Sequence, residues 1–302
     1  MAKHPRIHVI AGPTAIGKST IGLKLAHTLG GEIISADSRQ IYKELSIGAA
    51  KPTIKELQQL RHHFIDELNL GEPYSAGLFA TQATERIGQI LRQGRIPIVV
   101  GGSTLYLHAL VHGLSPSPPS DPTIRATIEK RLAQIGKEAL YEELVKIDPQ
   151  TAHTMDPSKT SRVVRALEVF AISQTPISSF HGKTIDPPYD YRVTVLTLDR
   201  AILYQRIEAR VDSMLEGGLL DEVRQIRTMN LDPTLPALKS IGYQEVFAYL
   251  DHQCNWQEMV DLMKRNSRRY AKRQLTWFRR YNTYRRISVD LPLEDIIAEC
   301  TS

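Results

Sequence analysis

Residues 7–20 read IHVIAGPTAIGKST, an apolar run that meets Gly12, passes four residues and reaches Gly17-Lys18-Ser19. The spacing G-x-x-x-x-G-K-[ST] makes a loop whose backbone N–H groups converge on phosphate oxygens, with Lys18 adding charge and Ser19 able to hold Mg²⁺. Such a loop belongs between a strand and a helix, so it constrains the fold as much as the ligand. Gly12, Pro13, Thr14, Ala15, Ile16, Gly17, Lys18 and Ser19 are the phosphate-binding candidates.

Further apolar runs follow the same scheme, each leading through a turn into a helical pattern: GEIISAD (31–37), HHFIDE (62–67), RIPIVVGG (95–102) and YRVTVLTLD (191–199). Their apolarity is continuous rather than alternating, as in strands buried on both faces. The expected fold is α/β, a P-loop-type, mostly parallel sheet flanked by helices. The loop then lies at the carboxyl end of its strand, where open α/β sheets bind ligands. A proline-rich hinge, GLSPSPPSDP (113–122), interrupts the alternation, and helical patterning without a strand candidate continues to about Gln174. DPPYDY (186–191) returns the chain to the sheet. The expected organisation is a core of 1–119 and 186–302 with a helical insertion at 120–185.

With 42% hydrophobic and 24% charged residues, the composition is globular rather than disordered. Two cysteines, Cys254 and Cys300, make neither a metal cluster nor a disulfide framework. No leader pattern and no apolar run of membrane length are present, so a cytoplasmic protein without a membrane partner is expected. The net charge of +5 matters less than its distribution. Lys264 to Arg286 holds ten Lys or Arg, five aromatics and no acid. Ten cations without acids along one helix repel one another, and an anionic partner relieves that. Interleaved aromatics suit stacking on bases, so nucleic acid is favoured over a bare solvated face.

Asp37 ends the second strand and faces the same crevice as Lys18 if neighbouring strands end together. It is read as a general base, against the plainer role of a turn hydrogen bond. Ser103, after Gly101-Gly102, is read either as a helix cap or as a donor to a bridging phosphate oxygen. Arg206 and Arg210, four apart, make either a surface pair with an acid such as Glu208 or a clamp on a diphosphate. A nucleotide-hydrolysing enzyme or kinase needs a second acid at a strand end for its metal. RIPIVVGG ends without one, and Asp199 is the remaining candidate. A kinase using Asp37 to activate a hydroxyl, and an RNA-binding module switched by nucleotide, both stay open on these residues.

Taken together the pieces resemble the tRNA dimethylallyltransferase (tRNA isopentenyltransferase) family, bacterial type. The matching stretches are GPTAIGKS (12–19), ISADSRQIYKELSIGAAKP (34–52), YSAGLF (74–79), PIVVGGSTLYLHALVHGL (97–114), SRVVRALEV (161–169), RIEARVDSMLEGGLLDEV (206–223), LKSIGYQEVFAYL (238–250) and RRYAKRQLTWFRR (268–280). They run in order along nearly the whole chain. Departures are Ser103 where the family has Thr, Thr104 where it has Gly, and Ile16 where it often has Ser. With only two cysteines, far apart, the zinc finger that eukaryotic members often add is not expected.

The resemblance implies transfer of a dimethylallyl group from dimethylallyl diphosphate to N6 of the adenosine 3′ of the tRNA anticodon. The loop would then hold a leaving diphosphate, with Mg²⁺ on Ser19. Lys18 and Arg210, with Arg206, would stabilise the diphosphate; Thr14 and Ser103 would lie near it, and Asp37 would accept the amine proton. For tRNA the resemblance implies Asp37, Ser38, Arg39 and Gln40, Ser103, Arg125, the segment Ser161, Arg162, Val163, Val164 and Arg165, and the basic Lys272 and Arg273. A single tRNA per subunit needs no second copy, so a monomer is expected.

Overall fold

The computed structural model describes residues 5–183, 186–232 and 235–301. Strand β1 (Arg6–Ala11) enters the loop, and α1 (Lys18–Leu29) leaves it. Helix α1 stops at Gly30, which takes the left-handed conformation at φ 64° and lets its N–H reach back to the carbonyls of Ala26 and His27. β2 (Gly31–Ala36), α2 (Ile54–Gln59), β3 (His62–His63), α3 (Ala76–Arg92), β4 (Ile96–Gly101) and α4 (Thr104–His112) follow. Ser75 starts α3 by accepting the N–H of Leu78.

The strands form one six-stranded sheet in the order β3-β2-β4-β1-β5-β6, with β5 at Asp190–Thr197 and β6 at Arg285–Ser288. Every pairing is parallel. Its central strands are buried along nearly their whole length, which accounts for their unbroken apolar runs. Ile10, Leu25, Ile98, Val100, Leu196, Leu203 and Ile297 belong to one core cluster on this framework.

Two sequence expectations are corrected here. The strand expected at 62–67 is only His62–His63, because Phe64 (φ 65°) and Asp66 (φ 55°) turn left-handed and leave the extended region. Strand β6 was not expected at all: RRIS is short and opens with two arginines, and it reads as part of the basic segment.

The chain divides into two compact units. One runs to Val111 and resumes at Pro188; the other is His112–Pro187. The expected end of the insertion at Ile185, and residues 1–4, lie outside the described residues. The second unit is helical: α5 (Pro122–Ile147), interrupted at Gly136, then α6 (Pro149–Thr154) and α7 (Thr160–Ser173). Ile128, Leu140, Leu144, Val163, Val164 and Leu167 pack as its core. Glu168, wholly buried, accepts from the Asp121 N–H at 3.0 Å and from the Ser120 hydroxyl, and pairs with Arg165 at 2.9 Å and Arg125 at 3.5 Å.

After β5 the first unit continues with α8 (Arg200–Glu216), α9 (Leu219–Thr228), α10 (Tyr243–Leu250), α11 (Trp256–Phe278) and, beyond β6, α12 (Leu293–Thr301). Among the described residues no helix is long and apolar enough to cross a membrane.

Glu168→Ala removes the shared acceptor of four donors, whose residues are all at least partly exposed and can rehydrate in part. It is expected to lower unfolding free energy by about 2–4 kcal/mol, read as a fall in the thermal midpoint of the helical unit.

Candidate active site

Strand register sets the site. Ala11 of β1 and Ala36 of β2 both pair with Gly101 of β4, so the three chains leave the sheet at one level. The next residues, Gly12, Asp37 and Gly102, therefore begin three adjacent loops. The N–H of Ser103 donates to the carbonyl of Ala36 at 3.2 Å, which ties the serine's loop to the residue before Asp37. The loop itself needs Gly17, whose φ of 101° at the start of α1 strains any residue with a Cβ.

Lys18 folds back over the loop, its Nζ donating to the carbonyl of Pro13 at 2.7 Å. Burial, reinforced by the Arg210 guanidinium, pulls its ammonium down to about 7, while Asp37 acts in the opposite direction. Burial also lowers Arg210, again opposed by Asp37. These three groups are thus mutual electrostatic neighbours: two half-buried cations beside one carboxylate. A second anion is what the arrangement lacks. Arg206, one turn earlier on α8, is exposed and lies outside the cavity lining.

Asp37 Oδ1 accepts the N–H of Arg39 at 2.8 Å and that of Gln40 at 3.4 Å, so the turn role is real. Among the described residues its Oδ2 has no hydrogen-bond partner, and the side chain lines a cavity of about 350 Å³. Turn and base are therefore compatible, one oxygen for each. Gln40 is committed to the protein: its amide accepts from Ser35 at 2.8 Å and donates to the carbonyls of Ala49 and Ala50. Ser103 ends the turn before α4, and its carbonyl takes the Leu107 N–H; its hydroxyl caps nothing among the described residues. Asp199 caps α8 through Oδ1, accepting from Ala201 at 2.8 Å and Ile202 at 3.2 Å, and it lies outside the cavity lining.

The cavity has two kinds of lining. Thr14, Asp37, Ser38, Arg39, Arg210, Tyr270 and Arg273 are polar; Ala49, Ile207, Val211, Met214, Ile241 and Met263 are not. A ligand with a charged head and a short hydrocarbon body suits both. Burial raises the Tyr270 hydroxyl to about 12, helped by Asp37 and opposed by Arg39 and Arg273, so it stays a proton donor.

Several contributors were not picked out from the sequence. Lys239–Tyr243 lines the cavity, and Glu222 anchors the wall at Gly48. The Glu222 carboxylate accepts the N–H groups of Ser46, Ile47 and Gly48 and the hydroxyl of the fully buried Tyr243. Gln274 was also missed; its signal is an uncharged polar residue in the helical phase of Met263, Ala271 and Phe278, the buried positions of α11.

The basic segment is corrected in one respect. It lacks acids of its own, but α8 supplies them: Lys264 pairs with Asp212 at 2.7 Å and Arg268 with Glu208. Arg285 pairs with Glu299. Among the described residues Arg265, Arg269, Lys272, Arg273, Arg279 and Arg280 have no acidic partner, and all six are exposed. In the helical unit, Val163 and Val164 are 1% and 2% exposed, so their side chains are core. Arg125 and Arg165 are bound to Glu168, which leaves Ser161 and Arg162 as the exposed members of that set.

A metal has few protein ligands to choose from. Among the described residues no three of His, Cys, Asp or Glu converge. Ser19, exposed on the first turn of α1, fits a Mg²⁺ ion held mainly by phosphate oxygens, the usual arrangement for this ion.

The family model described as IPP transferase matches residues 40–281. A protein of Salinibacter ruber named tRNA dimethylallyltransferase is 49% identical over 96% of this chain and 90% of its own length. One of the same name from Chlorobium chlorochromatii is 43% identical over 98% and 97%. Among solved structures, the tRNA isopentenylpyrophosphate transferase of Bacillus halodurans superposes with a TM-score of 0.72 at 38% identity, over 97% of this chain and 93% of that one. A eukaryotic dimethylallyltransferase described as acting on tRNA gives 0.76 at 31% identity, over 90% and 69%. With a matching model over most of its length and relatives alike from end to end, this chain belongs to the IPP transferase, or tRNA dimethylallyltransferase, family.

Proposed function

We propose that the protein transfers a dimethylallyl group from dimethylallyl diphosphate to N6 of the adenosine immediately 3′ of the anticodon in tRNA, releasing diphosphate. The observation that carries this reading is the cavity in which an apolar wall meets Asp37 and Arg210 beside a phosphate loop, with Lys18 of that loop as their electrostatic neighbour. A diphosphate supplies a second anion beside two half-buried cations, and Ala49, Ile207, Val211 and Met214 suit a five-carbon chain.

In this mechanism the lone pair of N6 attacks C1 of the allylic donor as the C1–O bond breaks, and the electron pair leaves with the diphosphate. Lys18, Arg210 and the loop N–H groups stabilise the charge growing on that leaving group. Ser103 hydrogen-bonds the bridging oxygen. Asp37 Oδ2 takes the amine proton; adenine amines are weak nucleophiles, so both a placed base and an apolar, water-poor wall matter. Mg²⁺, when bound through Ser19, adds charge neutralisation at the diphosphate. The target base must leave its stack to reach Asp37, and Ser38 and Arg39 line its way in. The cationic face of α11, with Lys272 and Arg273, follows the RNA backbone, and the helical unit grips the anticodon stem-loop through Ser161 and Arg162.

Incubation of unmodified tRNA with the protein, Mg²⁺ and the donor, followed by mass spectrometry of the nucleosides, is expected to yield an adenosine heavier by one dimethylallyl group. No such nucleoside from competent tRNA would refute the proposal. Asp37→Ala is expected to reduce turnover by about 10²–10⁴-fold while donor KM stays within about threefold, and unchanged turnover removes Asp37 as the base. Lys18 is the proton-linked group: diphosphate binds its charged form, which free protein loses as pH rises through about 7. Donor KM is therefore expected to climb above neutrality, by up to about tenfold per pH unit, and Lys18→Arg to flatten that slope. Neutralising Lys272 and Arg273 together is expected to weaken tRNA binding and lower the magnitude of its salt slope by about 1–2; an unaltered slope takes this part of α11 off the RNA.

A further inference from the structure

Gln274 lies among the interior-facing residues of α11 at 2% exposure, one residue from the exposed Arg273. Its side-chain amide reaches two loops at once. Oε1 accepts the N–H of Thr14 at 2.9 Å, and Nε2 donates to the carbonyl of Gly102 at 2.7 Å. The partners dictate this orientation, since an N–H can only donate and a carbonyl only accept. Glycine at 102 is what admits the amide: a Cβ there would stand 2.6 Å from Nε2, 3.1 Å from the Gly12 carbonyl and 3.3 Å from Lys18 Nζ. The contact is thus packed into the phosphate loop, beside its lysine.

We propose that Gln274 is a positioning residue for the diphosphate: its amide clamps the loop at Thr14 to the β4–α4 turn at Gly102, next to Ser103. The inference rests on reading the loop as the diphosphate site. The Thr14 N–H is committed to α11, and the spacing between Lys18 and Ser103, which must act on the same leaving group, is held from the helix that carries Lys272 and Arg273. A glutamine needed only for folding would affect stability alone, whereas this one sets how the anion is held.

The test compares wild-type protein with Gln274→Met, similar in length but unable to make either bond, and with Gly102→Ala, which pushes a methyl group against the same amide. Donor KM, tRNA KM, turnover, thermal midpoint and competitive inhibition by inorganic pyrophosphate are measured for each. In folded variants donor KM and the pyrophosphate inhibition constant are expected to rise together by about five- to tenfold, with tRNA KM within about twofold. Should both donor parameters stay within about twofold of wild type in either folded variant, the positioning role is overturned. If pyrophosphate fails to compete with donor in the wild type, the diphosphate reading fails, and this inference with it.

Discussion

The site depends on one constraint of parallel pairing. Because Ala11 and Ala36 share Gly101 as their register partner, β1, β4 and β2 end together and hand their next residues to one small volume. A slip of one residue in the β2–β4 ladder would turn the residues leading into Asp37 to the other face of the sheet, and one in the β1–β4 ladder would shift the phosphate loop instead, since side chains alternate along a strand. Neither loop length nor side-chain flexibility could restore the site. The long buried pairings of the central strands are therefore what brings Asp37, the phosphate loop and the serine turn together at one edge of the sheet.

On that frame the electrostatics are left incomplete. Lys18 and Arg210 are both disfavoured by burial, each worsens the other's position, and Asp37 offsets only part of this. In the interior such a deficit is tolerated only where the surrounding structure fixes it. Here the Pro13 carbonyl holds Lys18, and Gln274 holds the loop that supplies that carbonyl. In the proposed reaction a diphosphate completes the set, so binding and charge stabilisation of the leaving group would come from the same groups, and their strength would grow as negative charge develops.

How much of this can be read in the sequence depends on how local each feature is. The phosphate loop, the buried strands and the basic helix are carried by contiguous residues, and all three could be placed beforehand. β3 was drawn too long because nothing in HHFIDE announces left-handed turns at Phe64 and Asp66; the turn is held by bonds to a distant segment, the N–H groups of Asp66 and Glu67 donating to the carbonyls of Gln40 at 3.2 Å and Ile41 at 2.8 Å. β6 was missed because an edge strand of four residues has little apolar pattern to show. Charge pairing misled for a related reason: the acids that answer Lys264 and Arg268 lie more than fifty residues away on α8. Val163 and Val164 show the limit of transferring a motif whole, since a helix turns two members of any such segment inward. Glu222, Tyr243 and Gln274 act through contacts across 21 to 260 residues of chain, which no local pattern encodes.

A phosphate loop by itself does not determine whether phosphate is transferred or discarded. What decides it is the chemistry facing the loop. Phosphoryl transfer needs a carboxylate free for metal at a strand end, and here the remaining candidate, Asp199, starts α8 through Oδ1 and lies outside the cavity lining. The acid that does reach the cavity, Asp37, has one oxygen held by its own turn and one open, in a cavity that also has an apolar wall. That combination suits removal of a proton from an amine while a carbon–oxygen bond breaks. Leaving-group chemistry therefore follows from the residues around an ordinary loop, with the loop's own geometry unchanged.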